Sequence, residues 1–332
     1  TDQIRLGADD LEDVYTFSLR DPQSGKRLKW GNYQAGVINA LLEEGYLIRG
    51  MDFLFTGNIP FGSGLSSSAA IELTTAVAAA ALSENYKEKG LDLIRMAQLG
   101  QLAEHTFCGV NCGIMDQFAS AMGKRDHAIL LDCASLHYKY VPLALGDYTL
   151  VLANTCKKHA LGASEYNKRR EEVAEGLRRL NAALGENRAN LCDFSEAEYA
   201  AAEARLGSDK VKDRVKHVIF ENARVKRAVS ALENGNLKAF GTILCEAHAS
   251  IRDLYEVTGP ELDTMFEIAS HTDGCIGARM TGAGFGGCTV NIVLKESAEA
   301  FIRDVGRAYT QRTGIIPEFY LCTAGDGARE LF

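Results

Sequence analysis

Long apolar runs, proline and surplus positive charge are all scarce in this chain of 332 residues. No uncharged apolar stretch approaches the ~20 residues that a bilayer-spanning helix needs, and the nearest, residues 76–82, is far shorter. A membrane-embedded protein is therefore not expected. With five prolines there is no Pro-rich linker, and no repeat or low-complexity segment interrupts the chain. A formal net charge of −8 argues against nucleic acid as a bulk partner. Nine cysteines are an odd, scattered set. Cys108 and Cys112 lie closest, and no second pair completes a zinc-site spacing. They are read as reduced thiols of a cytosolic protein. Nothing near Thr1 resembles a signal peptide. There is no initiator Met, and Ile4-Arg5-Leu6 already has strand character, so a further segment is expected before Thr1.

What is present is glycine and serine in a telling place. Residues 62–73 read GSGLSSSAAIEL and continue into an alanine-rich run of strong helix formers. Glycine permits tight turns and close backbone approach. Serine caps helices and offers a hydroxyl to a phosphate or a metal. A helix start here would aim unpaired N–H groups and a positive dipole at an anion. From composition alone, a phosphate cradle and an ordinary glycine loop before a buried helix fit equally well. No lysine follows the second glycine, so this is not a Walker-type loop. The residues before it, 51–57, read as a buried strand. Strand, loop, helix is the order a phosphate loop requires, which favours the cradle.

Elsewhere, periodicity predicts strands over 3–8 and 14–19, a turn at 22–25 and a helix over 30–43. A further amphipathic helix is predicted over 90–107, and another starts in 114–121. Strands are expected at 127–132, 136–142 and 148–153. Helices are expected at 164–183, 195–205, 209–233, 236–254 and 260–271, and then strand 288–294, helix 296–312 and strand 317–322. The fold class is α+β, divided into residues 1–150 and 151–332.

Several groups offer chemistry. Asp116 lies among Ile114, Met115 and Phe118, close after Gly113. It reads either as a helix cap or as a partly desolvated carboxylate able to accept or orient a hydroxyl proton. Glu104 taken alone reads as a solvated glutamate; with the hydroxyls of residues 66–68 it could complete a Mg²⁺ site. His105 reads as structural. Gly282, Gly284 and Gly287 form a G-x-G-x-x-G pattern that comes too late, and without a βαβ start, to be a Rossmann fingerprint. It is expected instead to pack against the active site. Tyr166 suits either a sugar face or the core. Trp30, the only tryptophan, and Tyr33 one turn on read as a helix-to-core anchor or as neighbours of an adenine ring. Lys157, Lys158, Lys168, Arg169 and Arg170 form a basic patch, read as solvated helix charge or as facing phosphates.

These pieces in this order resemble the galactokinase family, within the superfamily that also holds homoserine, mevalonate and phosphomevalonate kinases. Residues 62–69 are similar to the superfamily's phosphate motif. CGIMDQF at 112–118, SEYNKRR at 164–170 and MTGAGFGGC at 280–288 are similar to the galactokinase branch. The resemblance spans essentially the whole chain. It implies a two-domain α+β kinase fold with the active site between the domains. It implies transfer of the ATP γ-phosphoryl group, with Mg²⁺, to the 1-hydroxyl of α-D-galactose. By position Asp116 would be the base, and Gly113 and Tyr166 would contact the sugar. Gly62, Ser63, Gly64, Leu65, Ser66, Ser67 and Ser68 would surround the phosphates. Ser68 and Glu104 would hold Mg²⁺, and Trp30 and Tyr33 would stand by the nucleotide. The family's N-terminal signature, an arginine followed shortly by Glu-His-Thr-Asp, has no counterpart in these residues. It is expected upstream of Thr1, and the basic residues around 157–170 are expected to stand in partly for its cation. Two alternatives remain: an N-acetylgalactosamine kinase, and a galactose- and ATP-binding sensor without catalysis. Such sensors carry lesions in the serine–alanine run that is intact here at 66–70. Galactose and ATP are the expected partners, with neither nucleic acid nor membrane; oligomeric state is left open.

Overall fold

The computed structural model describes residues 2–60, 62–157 and 162–331, with the side chains of 162–164 and 166 outside the description. In order, the elements of the first part are β1 (Gln3–Ala8), β2 (Leu11–Ser18), α1 (Asn32–Glu43), β3 (Met51–Phe55), α2 (Ser67–Ala81), α3 (Tyr86–Lys89), α4 (Leu93–Ala103), α5 (Met115–Met122), β4 (His127–Leu131) and β5 (Tyr138–Pro142). There follow β6 (Tyr148–Asn154), α6 (Gly162–Leu184), α7 (Glu196–Ala202), α8 (Lys210–Glu233), α9 (Leu237–Ser250), α10 (Pro260–Ser270), β7 (Cys275–Met280), β8 (Cys288–Leu294), α11 (Ala298–Thr313) and β9 (Glu318–Cys322).

Two compact units result. The first comprises Thr1–Phe61, Ser66–Tyr140 and Ala324–Phe332; the second comprises Gly62–Leu65 and Val141–Thr323. Relative to a division at residue 150, the change of unit falls ten residues earlier. Gly62–Leu65 joins the second unit, and the last nine residues return to the first.

In the first unit β1 pairs antiparallel with β2 and parallel with β3. Ile4 and Leu6 point inward, onto a core built with Val37, Ile38 and Leu41 of α1, Leu73 and Ala76 of α2, and Met96 and Leu99 of α4. Strand β3 is not buried on both faces, as its apolar run predicts. Asp52 pairs with Arg5 at 2.5 Å on the outer face, and Leu54 is 78% exposed there. Helix α4 starts on an Asp92 cap, whose side chain accepts from the N–H groups of Ile94 and Arg95. The returning tail fastens α5: Ala328 N–H donates to Ser120 O and Gly327 N–H to Gly123 O, both at 2.8 Å.

In the second unit the sheet order is β7-β8-β6-β9, with every pair antiparallel. Val151, Ala153 and Val293 face Met265 of α10 and Phe301, Val305 and Tyr309 of α11. Strand β7 went unread in the sequence because CIGARM alternates poorly. It is fixed by α9, which lies on it backbone to backbone: a Cβ at Gly241 would come within 2.1 Å of Ile276 O. A second core, around Leu180, Tyr199, Val215 and Ile219, joins α6, α7 and α8.

Candidate active site

Beyond β3 the chain enters a loop in which Gly62, Gly64 and Ser66 take left-handed φ values of 67°, 72° and 58°. Glycine adopts this backbone freely; a serine there is held by its surroundings. Helix α2 begins immediately afterwards, with Ser67 and Ser68 in its first turn. Its leading N–H groups lack helical acceptors, which suits a phosphate.

Within the second unit, residues 281–287 clamp the first part of this loop. A Cβ on Gly282 would stand 2.9 Å from Gly64 O, and one on Gly287 2.9 Å from Ser63 O. The Cys288 thiol donates to the same Ser63 carbonyl at 3.2 Å. This glycine stretch joins two antiparallel strands rather than a strand and a helix. It holds a backbone in place and is not a dinucleotide fingerprint.

The acidic centre lies in the first unit. Asp116, in the first turn of α5, is partly withdrawn from water, and burial pushes its carboxyl upward. A hydrogen bond from the Ser66 side chain pulls it back, and the charge of Glu104 pushes it up again. The end of the phosphate loop thus touches the candidate base.

Glu104 is not the solvated residue that its sequence neighbourhood suggests. α4 gives way at Ala103 to a π turn over Glu104–Cys108, which leaves Glu104 only 5% exposed. Such turns recur at functional sites because they re-aim a side chain. Against it stands Glu72 of α2, with no exposure at all. Burial above all, then the charge of Glu104 and a hydrogen bond with it, pushes the Glu72 carboxyl up to about 10. Glu72 therefore holds its proton at neutral pH. Gln117 completes the cluster, donating from Nε2 to Glu72 Oε2 at 3.0 Å and to Glu104 Oε1 at 3.4 Å. The thiols of Cys108 and Cys112 are pushed up to about 12 by burial and by Glu104, so both stay protonated. Tyr33 borders the same centre: burial, then Cys108, Glu104 and Glu72, raise its phenol to about 12.

The other expected residues are placed differently. Trp30 packs on Tyr15, with ring centroids 5.5 Å apart, and edge-on to Phe55 at 6.5 Å, in the manner of a core anchor. His105 meets the Cys112 carbonyl at 3.0 Å. Gly113 is exposed, and a Cβ there would touch nothing within 4 Å. The backbone of Tyr166 belongs to α6; its side chain lies outside the described residues, as does Lys158.

Two residues of the basic stretch are engaged within the second unit. Lys157 is paired with Glu261 at 2.7 Å. Arg169 is buried and donates to the carbonyls of Tyr255 and Glu256 and to Glu172. Its side chain builds the second unit. Among the described residues no group of three His, Cys, Asp or Glu could cage a metal, and no helix is long and apolar enough to cross a membrane.

Residues 32–124 match the GHMP kinases N terminal domain and residues 228–311 the GHMP kinases C terminal family, which makes the chain a GHMP kinase. The galactokinase of Clostridium tetani is 44% identical over 330 residues, covering 99% of this chain and 83% of its own length. That of Clostridium acetobutylicum is 44% identical over 320 residues, covering 96% and 80%. The crystal structure of Lactococcus lactis galactokinase complexed with galactose is 38% identical with a TM-score of 0.91, covering 99% of this chain and 84% of that one. The chain belongs to the galactokinase family, ATP-dependent sugar kinases of two-domain α+β fold.

Proposed function

We propose that this protein transfers the γ-phosphoryl group of ATP to the 1-hydroxyl of α-D-galactose, giving galactose 1-phosphate. The observation that carries this reading is the Asp116 carboxylate, partly desolvated and hydrogen-bonded by Ser66 at the end of the phosphate loop. Phosphoryl transfer asks for positioning and charge stabilisation more than for covalent help. In this reading Asp116 accepts or orients the proton of the sugar hydroxyl. Gly62, Ser63, Gly64, Leu65, Ser66 and Ser67 surround the phosphates, offering backbone N–H groups. Gly113, with open space where a side chain would stand, and Tyr166 contact the sugar. Tyr33 lies on the nucleotide side, and Trp30 supports it from the core.

Mg²⁺ fits the donor set. Magnesium uses one or two protein oxygens together with nucleotide phosphates rather than an all-protein cage. Ser68 in the first turn of α2 and the buried carboxylate of Glu104 are hard oxygen donors of that kind. The ion, when bound, neutralises phosphate charge. All nine cysteines are free thiols, which suits a cytoplasmic enzyme.

The test is ATP- and Mg²⁺-dependent phosphorylation of galactose, with N-acetylgalactosamine in parallel. Turnover of galactose, lost in Asp116→Asn, is expected. Galactose binding without turnover would replace the reading with that of a sensor. Preference for N-acetylgalactosamine would reassign the substrate.

A further inference from the structure

Gln117 follows directly after Asp116, yet its side chain serves a different neighbourhood. It is 1% exposed on α5. Its amide nitrogen reaches Glu72 on α2, Glu104 in the π turn and, at 3.7 Å, the Cys112 sulfur in the loop before α5. Helix α4 makes room for it with a glycine: a Cβ at Gly100 would come within 3.1 Å of Glu72 Oε2 and 3.3 Å of Gln117 Cγ. Five segments therefore converge on one buried polar knot. Packing does not call for it, since apolar side chains of the same size at 72 and 117 would fill the space without desolvating polar atoms. Glu72 Oε1 and Gln117 Oε1 are buried with no hydrogen-bond partner among the described residues. An arrangement kept at that cost points to a constraint other than folding.

We propose that Gln117, backed by Glu72, is a positioning residue that fixes the Glu104 carboxylate and ties it to the helix carrying Asp116. The inference rests on the reading of Glu104 as a magnesium ligand. A glutamate left to rotate must be ordered each time a metal–nucleotide arrives, whereas one pinned by a neighbouring amide is ordered in advance. Through α5 the same amide keeps the metal-binding oxygen in register with the base one residue away.

The test is Mn²⁺ binding to the purified protein with a non-hydrolysable ATP analogue, followed by electron paramagnetic resonance, alongside kcat as a function of Mg²⁺. Gln117→Met keeps the volume and removes the donor. It is expected to weaken Mn²⁺ affinity about tenfold and to raise the Mg²⁺ half-saturation in step, with KM for galactose unchanged. Glu72→Gln, which keeps a polar arm of the same length, is expected to retain more metal affinity than Glu72→Met. Wild-type Mn²⁺ affinity in Gln117→Met overturns the proposal. Should that variant fail to fold, equal affinities in the two Glu72 variants overturn it instead. Glu104→Gln separates the two layers of inference. If it leaves Mn²⁺ affinity unchanged, the ligand reading fails and takes this proposal with it. If it weakens binding while Gln117→Met does not, only the positioning role fails.

Discussion

Each unit buries a charged cluster, and the two are built on opposite terms. In the second unit Arg214, 1% exposed, donates to Glu172 Oε2 at 2.7 Å, Leu254 O at 2.6 Å and Glu256 Oε2 at 2.8 Å. Arg169 saturates the carbonyls beside it, and Lys210 pairs with Glu256 from the solvent side. Every guanidinium there meets a carboxylate or a carbonyl, and the network ties α6 and α8 to the turn after α9. In the first unit the cluster is made of acids: the charges of Glu104 and Asp116 raise the proton affinity of Glu72, and that of Glu104 raises Asp116's. The first arrangement is self-sufficient architecture. The second gathers carboxyl groups, and the Mg²⁺ proposed above would supply the positive charge. On the proposed function, the contrast separates buried charge that holds a fold from buried charge that binds a ligand.

The sharpest way to break that contrast is to ask which cluster governs turnover. Asp116→Asn removes the proposed proton acceptor while keeping shape. A loss of roughly 10³-fold or more in kcat is expected, in line with general-base contributions. ATP affinity, measured by equilibrium binding, is expected to hold. A wild-type rate would remove Asp116 from the base role. The reciprocal variant, Arg214→Met, strands Glu172 and Glu256 in the interior. Breaking one partner of a buried ion pair costs about 3 kcal/mol or more. Chemical denaturation is expected to register that loss, while kcat per folded molecule stays close to wild type. A fall in kcat with unchanged stability would erase the distinction between the two clusters.

How much of this was legible in the sequence follows from the range of the interactions. The phosphate loop, the Asp116 stretch and the second glycine stretch stand in contiguous motifs whose chemistry is local. Glu104 was legible as a residue but not in its setting, because helical periodicity carries no sign of the π turn that swings it inward. Glu72 went unread, although a signal existed. Ala69, Glu72, Leu73 and Ala76 share one face of α2 and all are buried, so a glutamate stood on a stripe otherwise apolar. Gln117 stands in the sequence as one letter of the CGIMDQF motif. Its partners come from α2 and the π turn, 45 and 13 residues away, and no local pattern reports contacts of that range. The outward face of β3 was missed for a similar reason, since the Arg5–Asp52 pair spans 47 residues.

A smaller effect distinguishes the clusters by pH. His217, beside the arginine network, hydrogen-bonds Ser250 at 2.9 Å and stacks on Tyr255 at 4.6 Å. Burial first, then the charges of Arg224, Arg279 and Arg214, lower its affinity for a proton from 6.5 to about 3. Between those values the unfolded chain binds a proton that the folded chain refuses. Its contribution to stability is therefore whole above pH 6.5 and is lost as pH falls toward 3, by up to about 1.4 kcal/mol per pH unit. His217→Phe keeps the stacking and is expected to flatten that part of the stability–pH curve. An unchanged slope in urea titrations between pH 4 and pH 6.5 would mean that other groups set the acid limit.

The least disruptive test concerns the two aromatic residues at the start of α1. Tyr33 borders the acidic centre, whereas Trp30 lies against Tyr15 and Phe55 in the sheet core, with its Nε1 buried and lacking an acceptor among the described residues. Trp30→Phe removes that unpaired donor along with some packing volume, and the two partly offset, so a stability change of about 1 kcal/mol or less is expected. Tyr33→Phe keeps the ring and deletes only the hydroxyl that borders the acidic centre. If the acidic centre is where nucleotide and metal are received, Tyr33→Phe raises KM for ATP while Trp30→Phe leaves it unchanged, with KM for galactose a control in both. The reverse pattern would make Trp30 the nucleotide neighbour and confine Tyr33 to the core, and the polar surroundings of Glu104 would then extend no further than Glu72 and Gln117.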